Sequence, residues 1–207
     1  MLRWALENGC PWDARVAQKA AEKGHRHILR WTKDVANRPW DERTCKGAAR
    51  GGHLDLLKFL RAEGVPWDES VCAACADENK LDVLKWARSH GCPWDHRTFN
   101  NAARNFHVKT MEWLRSEGCP WDEGTCEAAA MITGDESLEW LRSQDPPCPW
   151  DEYTPRAAAY SGNFLALEYA VKNGCDFDPD ACLEEVEDGD DGTEGHEFVT
   201  TFLKNYL

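Results

Sequence analysis

GCPWD, residues 91–95, is repeated at residues 118–122 and 9–13, and GVPWD stands at residues 64–68. Taken alone, a Cys-Pro-Trp-Asp run fits a metal clasp, a redox site or an aromatic binding slot. Its recurrence decides the matter, because a fixed period turns a suggestive motif into a structural module. Trp12, Trp40, Trp67, Trp94, Trp121, Trp150 and then Phe177 lie 28, 27, 27, 27, 29 and 27 residues apart, and an aspartate follows each of them. A second aromatic column, Trp4, Trp31, Phe59, Trp86, Trp113, Trp140 and Tyr169, runs eight to ten residues ahead of the first. The two columns absorb all eleven tryptophans.

Between these columns each unit reads as two short helices. After the Asp, positions such as Cys45, Ala48, Ala49 and Gly52 step by three and four, one narrow stripe of small residues. The Asp suits a helix start, because its carboxylate accepts from free first-turn amides and its charge matches the positive helix end. In the sixth unit Thr154-Pro155 reads as a cap followed by a first-turn proline. A glycine-rich break follows, then a second helix, plainest in HLDLLKFLRAEG (53–64), with Leu54, Leu57 and Leu60 on one face. Arg61, Arg88, Arg115 and Arg142 recur in its last turn. Gly9, Gly64, Gly91, Gly118 and Gly174 stand where a left-handed cap is wanted, and the proline that follows most of them cannot extend the helix. GCPWD is thus a stop, a spacer and a start, with the tryptophan expected to be buried across the junction.

The pattern T-C-x-x-A-A-x-x-G-H-L-x-x-L-K-W-L-R-x-x-G-C resembles the ankyrin repeat over Thr44–Gly64 and, less closely, Thr154–Gly174. It is most similar to the short Trp- and Cys-rich ankyrin-type repeats of large DNA viruses and of some algae and water moulds. The resemblance implies an all-α, ankyrin-like solenoid of stacked helix-turn-helix repeats of about 27 residues. Ankyrin units are about 33 residues long, so the projecting β-fingers are expected to be reduced or absent. The whole chain, 1–207, reads as a single repeat domain. It begins with a partial repeat at 1–9, continues with repeats at 10–36, 37–64, 65–91, 92–118, 119–147 and 148–174, and ends in a divergent repeat at 175–207. That last repeat holds an acidic insert at 184–197, which reads as a solvated loop before a final helix over Glu197–Tyr206. The partial repeat lacks its partner helix and offers an uncapped edge for association.

Composition bounds the function. A formal charge of −13 opposes a phosphate backbone, so nucleic acid is not expected as a partner. The N-terminal MLRWALENGCPWD has neither a signal-peptide pattern nor a membrane span, and an intracellular, cytoplasmic setting with reduced thiols is expected for its ten cysteines. Stacked helices lie about 8–10 Å apart, beyond disulfide reach. Cys72-Ala-Ala-Cys75 imitates a redox motif, yet other units place alanine in the same positions, and no histidine keeps step with the cysteines to complete a zinc set. His25, His53 and His107 stand at the break between helices, where the resemblance implies a hydrogen-bonded turn. The insert breaks the EF-hand rule, since taking Asp188 as first ligand puts Thr193 where glycine is required. No catalytic residues, cofactor or metal are expected.

The expected function is a non-enzymatic protein–protein interaction scaffold. A Cys-based metal or thiol-redox protein is the alternative from the residues, and the recognition arm of a larger adaptor such as a ubiquitin-ligase component is the alternative from the resemblance. In an array, positions that vary between units are free to read a partner. The third, sixth and tenth residues after each link tryptophan form such a face. It carries Arg43, Lys46 and Arg50, then Arg97, Asn100 and Arg104, then Met131, then Tyr153, Arg156 and Tyr160. This locally basic, tyrosine-bearing face suits an acidic or mixed-charge protein segment.

Overall fold

The computed structural model describes residues 8, 13–34, 39–132, 134–189 and 194–207. Trp4, Gly9, Cys10 and Trp12, and with them the proposed N-terminal edge, lie outside the described residues. Fourteen α-helices and no strand occur among the described residues, so the chain is an all-α solenoid of helical repeats without β-fingers in that part.

The residues group into two compact units, 1–94 and 95–207. The first contains α1 (Ala14–Glu22), α2 (Arg26–Asp34), α3 (Glu42–Arg50), α4 (Leu54–Ala62), α5 (Glu69–Asp77) and α6 (Leu81–Ser89). Its first helices α1, α3 and α5 stack in succession, and α2, α4 and α6 each pack on the helix before them. Units of this kind bury two kinds of surface. Cys45, Ala48, Ala49, Cys72 and Cys75 seal the first helices, while Leu29, Leu57, Leu60 and Leu84 fill the space between first and second helices. Small residues let the first helices approach closely. At Gly47 a Cβ would overlap the Gln18 carbonyl oxygen of α1.

The second unit contains α7 (His96–Arg104), α8 (Val108–Ser116), α9 (Glu123–Ala130), α10 (Glu136–Arg142), α11 (Tyr153–Tyr160), α12 (Phe164–Lys172), α13 (Pro179–Gly189) and α14 (Glu194–Leu203). Here α7, α9, α11 and α13 stack in order, and α14 packs on both α13 and α12. Phe99, Met111, Leu114, Leu138, Leu141, Leu167 and Leu203 make its core.

Caps define the helix ends. Asp68 accepts from the Ser70 amide at 3.0 Å and Asp95 from the Arg97 amide at 3.1 Å. Second helices close with the amide three residues past the helix reaching back five residues, as in Cys92 N to Ala87 O at 3.0 Å, around a left-handed Gly91. First helices close the same way, His53 N to Ala48 O at 2.9 Å.

Three expectations need correction. The described link tryptophans are half-buried rather than core residues, apart from Trp40 at 9% exposure; rings such as Trp67 lie under an arginine side chain and against an aromatic edge instead of inside the leucine core. Thr154 is no cap. The Asp151 carboxylate accepts from the Tyr153 amide at 3.1 Å, Thr154 is buried inside α11, and Pro155 still occupies the first turn, where no amide partner is needed. The acidic insert starts later than its composition suggests. α13 continues through Gly189 because Cys182 and Val186, four residues apart, prolong the buried stripe, and α14 begins at Glu194 with His196 buried.

Candidate functional site

The link motif is occupied by structural work. The guanidinium carbons of Arg61, Arg88, Arg115 and Arg142 lie 4.2, 4.2, 4.4 and 3.9 Å from the ring centroids of Trp67, Trp94, Trp121 and Trp150. The same arginines reach carbonyls: Arg88 donates to Cys92 O at 2.9 Å, Arg61 donates to Val65 O, and Arg115 donates to Asp145 O at 3.2 Å. Sequence reasoning found these arginines through the helix dipole and missed the stacking; their constant offset of six to eight residues ahead of each tryptophan was the signal. The other edge of the indole meets the second aromatic column, Trp40 on Phe59 and Trp67 on Trp86 at 5.9 Å, Trp150 on Tyr169 at 6.4 Å. A ring held between a cation and an aromatic edge has little open face for a sugar or a methylated lysine.

The thiols are sealed. All nine described cysteines are free and buried. In the link column each sulfur points to the carbonyl of the capping Asp one unit earlier, Cys175 to Asp151 O at 3.2 Å and Cys92 to Asp68 O at 3.5 Å. Burial pushes Cys45 and Cys175 up to about 12 and Cys182 up to about 11. Contact with Cys72, and then burial, raise Cys92; contact with Cys148, and then burial, raise Cys126. Such thiols stay protonated at neutral pH, the wrong state for a nucleophile or a ligand. Among the described residues no three His, Cys, Asp or Glu side chains converge on a point that could hold a metal ion.

The histidines divide. His53 Nε2 lies 3.1 Å from Glu22 O, so it ties its turn to the preceding first helix, and His196 makes the equivalent contact with Tyr160 O at 3.1 Å. Asn163 fills that place in the sixth repeat, donating to Ala130 O at 3.0 Å, to Gly134 O at 2.8 Å and to Ile132 O. His25 is exposed beside His27.

The ten residues of the variable face fall in two groups. Arg43, Lys46 and Arg50 stand on α3 in the first unit; Arg43 is exposed, and Arg50 meets Asp77 at 2.8 Å and Glu78 at 3.6 Å. The other seven lie on successive first helices of the second unit. On α7, Arg97 is exposed and pairs with its own capping Asp95 at 2.8 Å, while Asn100 accepts from the Thr125 hydroxyl at 2.6 Å. Arg104 is exposed with Nη2 3.8 Å from the Met131 sulfur, and Met131 follows α9. On α11, Tyr153 and Tyr160 are exposed, and Arg156 binds Glu185 of α13 through Nε at 3.0 Å. The positive charge that the sequence placed on this face is thus partly answered within the chain. Between α7 and α11 lies Glu127 of α9, whose carboxyl is raised by burial and by Asp151, Asp122 and Glu123 around it.

No helix among the described residues is long and apolar enough to cross a membrane. No family model and no curated protein matches the chain. Among solved structures, the chain is similar to the human ASB11 ankyrin repeat domain at 14% identity and a TM-score of 0.55, over 89% of this chain and 96% of that one. It is also similar to the pentatricopeptide repeat protein PPR10, solved with an 18-nt psaJ RNA element, at 16% identity and a TM-score of 0.51; that match covers 99% of this chain and 35% of that one. At such identities the likeness bears on fold alone, and with the helices above it makes this an ankyrin-like helical-repeat fold.

Proposed function

We propose that the chain is a non-enzymatic scaffold that binds a protein segment through the variable face of its first helices. The observation that carries this reading is the exposed set Arg97, Arg104, Met131, Tyr153 and Tyr160 on successive stacked helices of the second unit. Tyr buries large area with little loss of rotamer freedom, and Tyr and Arg dominate binding energetics where they cluster. Arg43, Lys46 and Arg50 form the corresponding patch of the first unit. The neutral, sealed thiols weigh against metal or redox chemistry. The formal charge of −13, with Arg50, Arg97 and Arg156 already paired to carboxylates, weighs against nucleic acid.

The test is affinity purification from the native cell with the wild type, a Tyr153→Ala/Tyr160→Ala variant and a control, Glu112→Ala, on an exposed position of α8. A protein recovered by wild type and control but lost with the double variant at unchanged Tm supports the reading. Equal recovery by all three removes this face.

A further inference from the structure

The inter-helix turn of the fifth repeat departs from its neighbours. Helices α7 and α8 are joined by three residues, 105–107, and so are α11 and α12, whereas five residues, 131–135, separate α9 from α10. Asn163 of the next repeat secures this wider turn through the carbonyls of Ala130, Ile132 and Gly134. Against the turn of the fourth repeat it leaves a cavity of about 180 Å³ lined by Arg104, Phe106, Ala129, Ile132, Glu136 and Ser137. Pockets for drug-sized ligands run to several hundred Å³, so this one matches a single large side chain.

Phe106 is the unusual wall. It sits at φ +46, in the left-handed position that Gly24, Gly52 and Gly162 occupy in other repeats with φ of 66 to 73. A bulky residue there is strained, and this one is also 40% exposed, beside Ile132 at 39% and Met131 at 37%. An aromatic ring at a position that favours glycine, with two-fifths of its surface exposed, carries backbone strain for only partial burial.

Arg104 supplies the polar half. In the same column one unit-pair earlier, Arg50 meets Asp77, 27 residues on, at 2.8 Å. The residue 27 after Arg104 is Met131, and the guanidinium meets its sulfur instead. Among the described residues Arg104 makes no ion pair, although Glu136 lines the same cavity, in contrast to Arg50, Arg97 and Arg156.

We infer that this cavity is an anchor site for a protein segment that inserts one large aliphatic or aromatic side chain between Phe106 and Ile132 and sets an acidic residue beside it on Arg104. The inference rests on the reading of the chain as a protein-binding scaffold and names the chemistry of the segment.

The experiment pans a random peptide library against the immobilised wild-type chain. Selected peptides are then titrated against wild type, Phe106→Gly, Arg104→Glu, Tyr153→Ala and the control Glu112→Ala. Enriched sequences are expected to share one large apolar residue with Asp or Glu nearby. Phe106→Gly should weaken them by about tenfold or more while the chain keeps its helical fold, since glycine accepts the positive φ. Arg104→Glu should weaken them as well, and Glu112→Ala, at an exposed position of α8, should not. Selected peptides without this pattern, or undiminished binding to a folded Phe106→Gly, would overturn the site. Peptides that respond to Tyr153→Ala but not to Phe106→Gly or Arg104→Glu would sink it while leaving the first-helix face standing, and peptides indifferent to Phe106→Gly, Arg104→Glu and Tyr153→Ala would sink both.

Discussion

Arg142 lies over Trp150, its guanidinium carbon 3.9 Å from the ring centroid, while its Nη1 donates to the Cys148 carbonyl at 2.5 Å. One side chain thus closes the second helix, fixes the link backbone and covers the indole. A charged hydrogen bond contributes about 1.5–3 kcal/mol and a cation–π contact about 0.5–2 kcal/mol. Arg142→Ala should therefore lower stability by about 2–3 kcal/mol in urea denaturation. Arg142→Lys keeps the charge and loses the planar fork, so it should recover only part of that loss. A double-mutant cycle with Trp150→Leu should return a coupling of about 0.5–1 kcal/mol; additivity of the two would remove the stacking from the account.

Gly47→Ala sets two effects against each other. Alanine favours the helix by about 1 kcal/mol, yet its Cβ would overlap the Gln18 backbone oxygen, and forcing such a contact costs about 1–3 kcal/mol. The overlap wins because backbone cannot swing aside as a side chain does. A net loss of about 1–2 kcal/mol is expected in thermal or urea melts, although Ala74 occupies the equivalent place in α5 without difficulty.

Fold class and period were legible because they depend on spacing, which the aromatic columns display directly. The Asp caps were legible because a capping carboxylate acts on its own neighbours. Contacts that join one repeat to the next were harder to see. That Arg50 finds Asp77 while Arg104 finds Met131 requires knowing that first helices stack in register. The half-burial of the tryptophans was hidden for a related reason: a periodic aromatic looks like core until the depth of its column is known. Phe106 could have been noticed in the sequence as the one large apolar residue in a column otherwise held by Gly24, Gly52, Asn79 and Gly162.

Buried thiols make the molecule sensitive to alkali. Cys45 is pushed from 9.0 up to about 12 by burial. The unfolded chain therefore releases this proton first as pH rises. The stabilisation is complete below pH 9 and is lost on the way towards 12, at about 1.4 kcal/mol per pH unit. Between pH 9 and 10.5, Cys45→Ala should remove about 2 kcal/mol of the alkaline loss from urea melts. An unchanged slope would mean that water reaches the sulfur in the native state.

Glu127 has the opposite practical consequence at neutral pH. Its carboxyl is raised by burial first and then by Asp151, Asp122 and Glu123, so the folded chain holds this proton more tightly than the unfolded chain does. Its contribution is present in full below the unfolded value of 4.5 and lost as pH rises through the folded one, which leaves the ionised carboxylate destabilising at pH 7. Glu127→Gln should raise Tm at pH 7, by a free energy of about half a kcal/mol or less, and the gain should vanish in acid. A gain that persists at low pH would point to packing instead of charge.

The edge-to-face pair Trp67–Trp86, 5.9 Å apart with rings inclined at 66°, joins a link to the second helix of its own repeat. Two identical chromophores so close and so oriented share their excited states, and a chiral arrangement of this kind yields a signed couplet in circular dichroism. The repeat therefore carries an optical gauge of whether its link is seated. Removing either indole by Trp67→Phe or Trp86→Phe deletes this pair's share of the couplet and leaves the helical signal, so the difference spectrum reports on that one junction without an added label.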